Sequence, residues 1–72
     1  MTTTTAAALA SLDTCRDRLS GAALDAAHAA TLLDGARKAR ARELVDLLDI
    51  AISHATRLAT VVEGDARAQQ RT

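Results

Sequence analysis

Asp34-Gly35 is the one strong break in a proline-free stretch of helix formers that runs from Ala6 to Val62. Glycine reaches the left-handed backbone conformation that closes a helix, and an aspartate beside it can sit in the turn or cap the next helix. The dipeptide divides the chain into two segments of similar length, about 6–33 and 36–62. Both read as helices, and so short a connection implies antiparallel packing. The expected fold class is all-α: a two-helix antiparallel hairpin, completed as a helical bundle by association with itself or with a partner. Residues 1–5 read as a flexible lead-in whose last threonine can N-cap the first helix. Gly64 reads as the natural stop of the second helix, and 63–72 as a flexible polar tail.

A chain of 72 residues is one domain at most, close to the size at which a single core struggles to bury enough surface. Phe, Tyr and Trp are all absent, so the side chains that usually anchor a small core are missing. Alanine and leucine dominate instead, which favours helix over strand.

Spaced about 100° apart on a helix, Leu12, Cys15, Leu19, Ala22, Ala23, Ala26, Ala30 and Leu33 fall on one side of the first segment. The stripe keeps its phase through Ser20-Gly21, so one continuous helix is expected there. It is narrow and rich in alanine, which lets a partner helix approach closely. The second segment differs. Leu44, Val45, Leu47, Leu48, Ile50, Ala51, Ile52, Ala55, Leu58, Ala59, Val61 and Val62 cover an arc of roughly 220° at about 100° per residue. A surface helix needs an apolar stripe only somewhat wider than about 100°. One narrow alanine seam cannot cover both flanks of such an arc, so the excess implies association. Leu44, Leu47, Leu48, Ala51, Ile52, Ala55, Leu58 and Val62 are the expected partner-binding residues.

His54 lies at one rim of that arc, beside Leu47, Ile50, Leu58 and Val61, and Arg57 follows at the third position. A rim histidine on a bundle helix, with a cation one turn on to steady a phosphoryl group, resembles the histidine phosphotransfer domains. The resemblance rests on His54 and Arg57 and implies His54 as the phosphoryl acceptor. The chain departs from that family at Leu58, where a glycine is usual. It departs from histidine-kinase dimerisation helices at Ala55, where an acidic residue is common. The plainer reading makes His54 a half-buried packing residue with a solvated ring edge, and the residues lean that way.

Other chemistry finds no constellation to carry it. Cys15, His28 and His54 give no cluster with zinc-ligand spacing. Cys15 falls on the apolar seam, where it is expected to pack as a small hydrophobe. Gly21, Gly35 and Gly64 are too scattered for a phosphate-binding loop, and there are no aromatic rings on which bases could stack. No nucleophile, base and orienting group assemble, so neither catalysis, a cofactor, a metal nor a small-molecule substrate is expected. Nine basic and nine acidic residues cancel, which removes any net field toward nucleic acid or membrane. The opening MTTTTAAALA lacks the basic start of a secretory signal, and no run is long enough to span a bilayer. With a single cysteine fitting a reducing compartment, the expectation is a soluble cytoplasmic protein.

Arg37, Lys38, Arg40 and Arg42 crowd the start of the second helix, where cations oppose the helix macrodipole. In one reading they form a solvated turn, balanced by Asp34, Glu43 and Asp46 through pairs such as Asp34–Lys38 and Arg40–Glu43. In a sharper reading they hold an acidic partner in register on the apolar face. A third makes the cluster a weak nucleic-acid contact, for which four charges in a neutral chain give a small footprint. The function expected from these features is a small non-enzymatic module, of adaptor, co-chaperone or inhibitor type, that binds another protein through the second helix. A self-assembling four-helix-bundle scaffold is the nearest alternative, and phosphotransfer through His54 comes from a different class. In size and shape such a hairpin is similar to small co-chaperones of bacterial type III secretion and to short phage- or plasmid-encoded regulators. That likeness is one of architecture, with no motif behind it.

Overall fold

The computed structural model describes residues 2–70. Two helices account for nearly all of them: α1, Thr3–Leu32, and α2, Gly35–Gln70. They pack side by side as a hairpin about 57 Å long and 15 by 11 Å across. The all-α antiparallel hairpin inferred from the sequence is the observed architecture.

Both helices are longer than the sequence suggested. α1 begins at Thr3, not near Ala6, because Thr2 is the N-cap. The Thr2 hydroxyl accepts from the Thr5 backbone N–H at 3.1 Å, and its carbonyl accepts from Ala6 N–H at 2.9 Å. The expected lead-in is therefore the first turn of the helix, and Thr5 is half-buried within it. At the other end α2 runs through Gly64 to Gln70, so Gly64 is not the stop it resembles. A glycine ends a helix where it turns left-handed, and among the described glycines only Gly35 has a positive φ. Beyond Gly64, Glu63 pairs with Arg67 at 3.7 Å, and Ala66 is 6% exposed. The supposed tail thus continues the packed seam. Met1, Arg71 and Thr72, which the lead-in and tail also included, lie outside the described residues.

The turn is Leu33-Asp34. Leu33 is extended and its N–H donates to Ala30 O at 3.4 Å, closing α1. The Asp34 carbonyl then accepts from Lys38 N–H at 3.5 Å, opening α2. Gly35 sits at φ 59°. Its left-handed conformation is the one expected, but it belongs to the first residue of α2 and not to the end of α1.

Packing follows an unbroken alternation of three- and four-residue steps on both helices. On α1 and its C-cap the buried and half-buried positions include Leu9, Leu12, Arg16, Leu19, Ala23, Ala26, Ala30 and Leu33. On α2 they include Lys38, Ala41, Val45, Leu48, Ile52, Ala55, Ala59, Val62 and Ala66. This is the heptad pattern of a coiled coil, with one side chain of each step facing the neighbouring helix. Shallow grooves between the helices set Ala30 with Lys38 and Val45, and Ser20 and Ala23 with Asp49 and Ile52. That register makes Ala55 and Ala59 roughly level with Arg16. The buried residues are Ala26, Ala30, Ala55, Ala59 and Ala66, and no large side chain is fully buried among the described residues.

The α1 stripe drawn from the sequence needs correction at four positions. Cys15 and Ala22 are exposed, off the seam, whereas Leu9 and Arg16 are on it. Cys15 therefore does not pack as a core hydrophobe. Arg16 holds its place through its aliphatic stem. Its head reaches Asp13 at 3.7 Å and its Nε is buried with no hydrogen-bond partner.

Candidate interaction surface

The eight expected partner-binding residues separate into two rows. Leu48, Ile52, Ala55 and Val62 belong to the seam and are taken up by α1. Leu44, Leu47 and Leu58 stand on the solvent side of the arc, 49%, 62% and 52% exposed, with Val61 beside them at 55%. Ala51, half-buried, lies between them. The outer row reads Leu44, Leu47, Ala51, His54, Leu58, Val61, again in steps of three and four, each residue directly preceding one of the seam. α2 thus carries two parallel apolar stripes, and its hairpin partner occupies one. Ile50, also about half exposed, widens the outer stripe on its far side.

The hairpin has two unlike flanks. Residues from both helices share the grooves on one flank: Ser20 and Ala27 of α1 with Arg42 and Asp49 of α2. That flank continues through Asp13 of α1 and Thr56 and Glu63 of α2, so it is polar. On the opposite flank the seven-residue repeat places Ala8, Cys15, Ala22 and Ala29 of α1 beside Leu44, Ala51 and Leu58 of α2. No charged residue interrupts it along those positions. The flank that holds the outer row is therefore apolar along these positions, with Ser11, Thr14 and Arg18 of α1 lining the same groove as Cys15 and Ala22.

The basic cluster also divides. Arg37 and Arg40 continue the outer row toward the turn, Lys38 is half-buried in the seam, and Arg42 belongs to the polar flank. Among the described residues the ion pairs are Asp13–Arg16 and Glu63–Arg67. Neither Asp34–Lys38 nor Arg40–Glu43 forms, so Arg37 and Arg40 project from the row without a carboxylate of their own helix. The row closes at its other end with Asp65, exposed. It is basic at the turn, apolar through its middle and acidic at the far end.

His54 is an exposed member of the outer row rather than a half-buried one, and Arg57 lies one position around the helix, also exposed. Ser53, directly before His54, is exposed, while two further hydroxyls are engaged within α2: Thr56 donates to Ile52 O at 2.9 Å and Thr60 to Thr56 O at 3.0 Å. No group of three or more His, Cys, Asp or Glu able to hold a metal occurs among the described residues. No helix among them is long and apolar enough to cross a membrane.

Signals in the sequence sufficed to find the wide arc but not its division. The division needs the knowledge that the seam steps through Leu48 and Ile52, which assigns Leu47 and Ala51 to the second stripe. Comparison with protein-family models, with characterised proteins and with solved structures finds no match to this chain.

Proposed function

We propose that this chain is a non-catalytic interaction module, of adaptor, co-chaperone or inhibitor type, whose working surface is the outer row of α2. One observation carries the reading: Leu44, Leu47, Leu58 and Val61 stand about half exposed in a single line while the hairpin's own seam is already filled. Large apolar side chains scattered singly over a surface need no explanation, but a continuous line of them marks a contact with another macromolecule. A hairpin whose buried residues are all alanine also has little interior of its own, and covering that line supplies apolar burial the monomer lacks.

The test is substitution of Leu47 or Leu58 by Asp. Each is expected to leave the helical circular-dichroism signal of the dilute chain intact while abolishing association. Association is read both as self-association in solution and as co-purification of proteins from the native cell with the tagged chain. If the wild-type chain neither self-associates nor retains any protein that Leu47→Asp loses, the proposal fails.

A further inference from the structure

We infer that a second copy of this chain covers the outer row, with the two α2 helices antiparallel about a two-fold axis level with Ile52-Ser53. The inference rests on the reading above that the row is an interaction surface, and it names the occupant.

The spacing of the row is the first argument. Leu44, Leu47, Ala51, His54, Leu58 and Val61 step by three, four, three, four and three, which reads the same in both directions. A two-fold interface brings one patch against itself, so residue i meets j and j meets i. Turned end for end, the row sets Leu44 on Val61 of the second copy, Leu47 on its Leu58, and Ala51 on its His54. Every bulky apolar residue meets another, and the histidine meets the smallest member of the row.

Charge selects this arrangement over its rivals. Continuing the same register outward places Arg40 opposite Asp65 of the second copy, twice by symmetry. A parallel pairing would instead bring the Arg37 and Arg40 pairs of both copies together. Sliding the antiparallel pair by one heptad sets Arg40 on Leu58 or, in the other direction, Asp65 on Leu47. Each alternative buries a charge against a leucine or against a like charge, and such mismatches determine orientation in paired helices.

The flanks agree. α1 of each hairpin lies on the same side of the α2 pair, and the flank it turns toward the other hairpin carries Ala8, Cys15, Ala22 and Ala29. The polar flank, with Asp49, Thr56 and Glu63, remains outside. Four helices packed in this way form a bundle in which both stripes of α2 are covered.

The experiment combines mass with cross-linking. Sedimentation equilibrium across a wide concentration range is expected to show a monomer–dimer equilibrium. Chains carrying Leu44→Cys and chains carrying Val61→Cys, both with Cys15→Ser, are then mixed and oxidised. A 44–61 disulfide between chains is expected, with little 44–44 or 61–61 product. Arg40→Asp and Asp65→Arg should each weaken the dimer severalfold, and the two changes in one chain should restore it. A folded wild-type monomer at every concentration overturns the inference, as does 44–44 cross-linking at the rate of 44–61. The broader reading fails separately. If a monomeric wild type retains a different protein that Leu47→Asp releases, the surface is right and the second copy is the wrong occupant. If Leu47→Asp changes nothing, both fall.

Discussion

Leu47 and Leu48 are adjacent in the chain and serve opposite sides of the apolar arc of α2. Leu48 is half-buried in the seam against α1, and Leu47 is 62% exposed on the outer row. One step of helix, about 100°, separates the residue that folds the hairpin from the residue free to bind.

The two leucines should therefore fail differently. Leu48→Asp places a charge in the seam and is expected to cost about 1–3 kcal/mol of stability, seen as a fall in the thermal midpoint at every protein concentration. Leu47→Asp should alter the dilute chain by no more than about 0.5 kcal/mol. Its effect should emerge only as concentration rises, through the loss of association. Circular-dichroism melts at two concentrations separate the cases, and equal losses from both substitutions would refute the two-stripe description.

Glycine positions give a second contrast. Gly35 has φ 59°, a conformation that costs a side-chain-bearing residue about 1–2 kcal/mol. Gly21 and Gly64 lie inside helices, with nothing within 4 Å of the position a Cβ would occupy. Gly35→Ala is expected to lower the melting temperature. Gly21→Ala and Gly64→Ala should each raise it, by up to about 1 kcal/mol in stability or several degrees for a chain of this size. A rise from Gly64→Ala also reports that α2 is helical through this point in solution.

Arg16 is a polar residue in a seam position, with Nε buried and unbonded. Removing an unsatisfied polar group while keeping the aliphatic stem relieves the burial cost. Arg16→Met is expected to stabilise the hairpin by about 1 kcal/mol. A denaturant melt that shows a loss of that size would mean that the loose 3.7 Å pairing with Asp13 contributes more than its distance implies.

His54 stands in the outer row, so it can be replaced without touching the seam. His54→Leu is expected to leave the fold intact and to tighten association severalfold, because it extends the apolar line between Leu47 and Val61. Sedimentation of the variant checks this. Incubation of the wild type with radiolabelled small phosphoryl donors addresses the other reading of the residue: acid-labile label that His54→Ala removes would establish phosphotransfer chemistry.

The helix count and the break at Asp34-Gly35 were legible because glycine and a short polar turn have strong local effects. The phase of the α1 seam was not. Alanine occurs on every side of that helix, so choosing Cys15 over Arg16 followed the polarity of the two residues, while the packing followed the three–four spacing. Gly64 carries the local signal of a helix end, a glycine followed by polar residues, and packing overrides it. Ala66 beyond it is buried and Thr5 is half-buried in the first turns of α1, so the seam continues past the glycine. The outer surface was legible as an excess of apolar residues. Its separation from the seam required the register of the pair.

Truncation to alanine is the usual way to map an interior by mutation, and it is blind to the centre of this one. Ala26, Ala30, Ala55, Ala59 and Ala66 are already at that endpoint. What such a centre resists is growth, since inserting methylenes between closely packed elements typically costs about 1–3 kcal/mol. An alanine codon becomes a valine codon by one base change, so that gain of two methyl groups is directly open to these five positions. The hairpin's vulnerability is thus inverted relative to a leucine-cored protein. Damage arrives as added volume, and enlargement scanning is the procedure that would reveal which alanines set the distance between the helices.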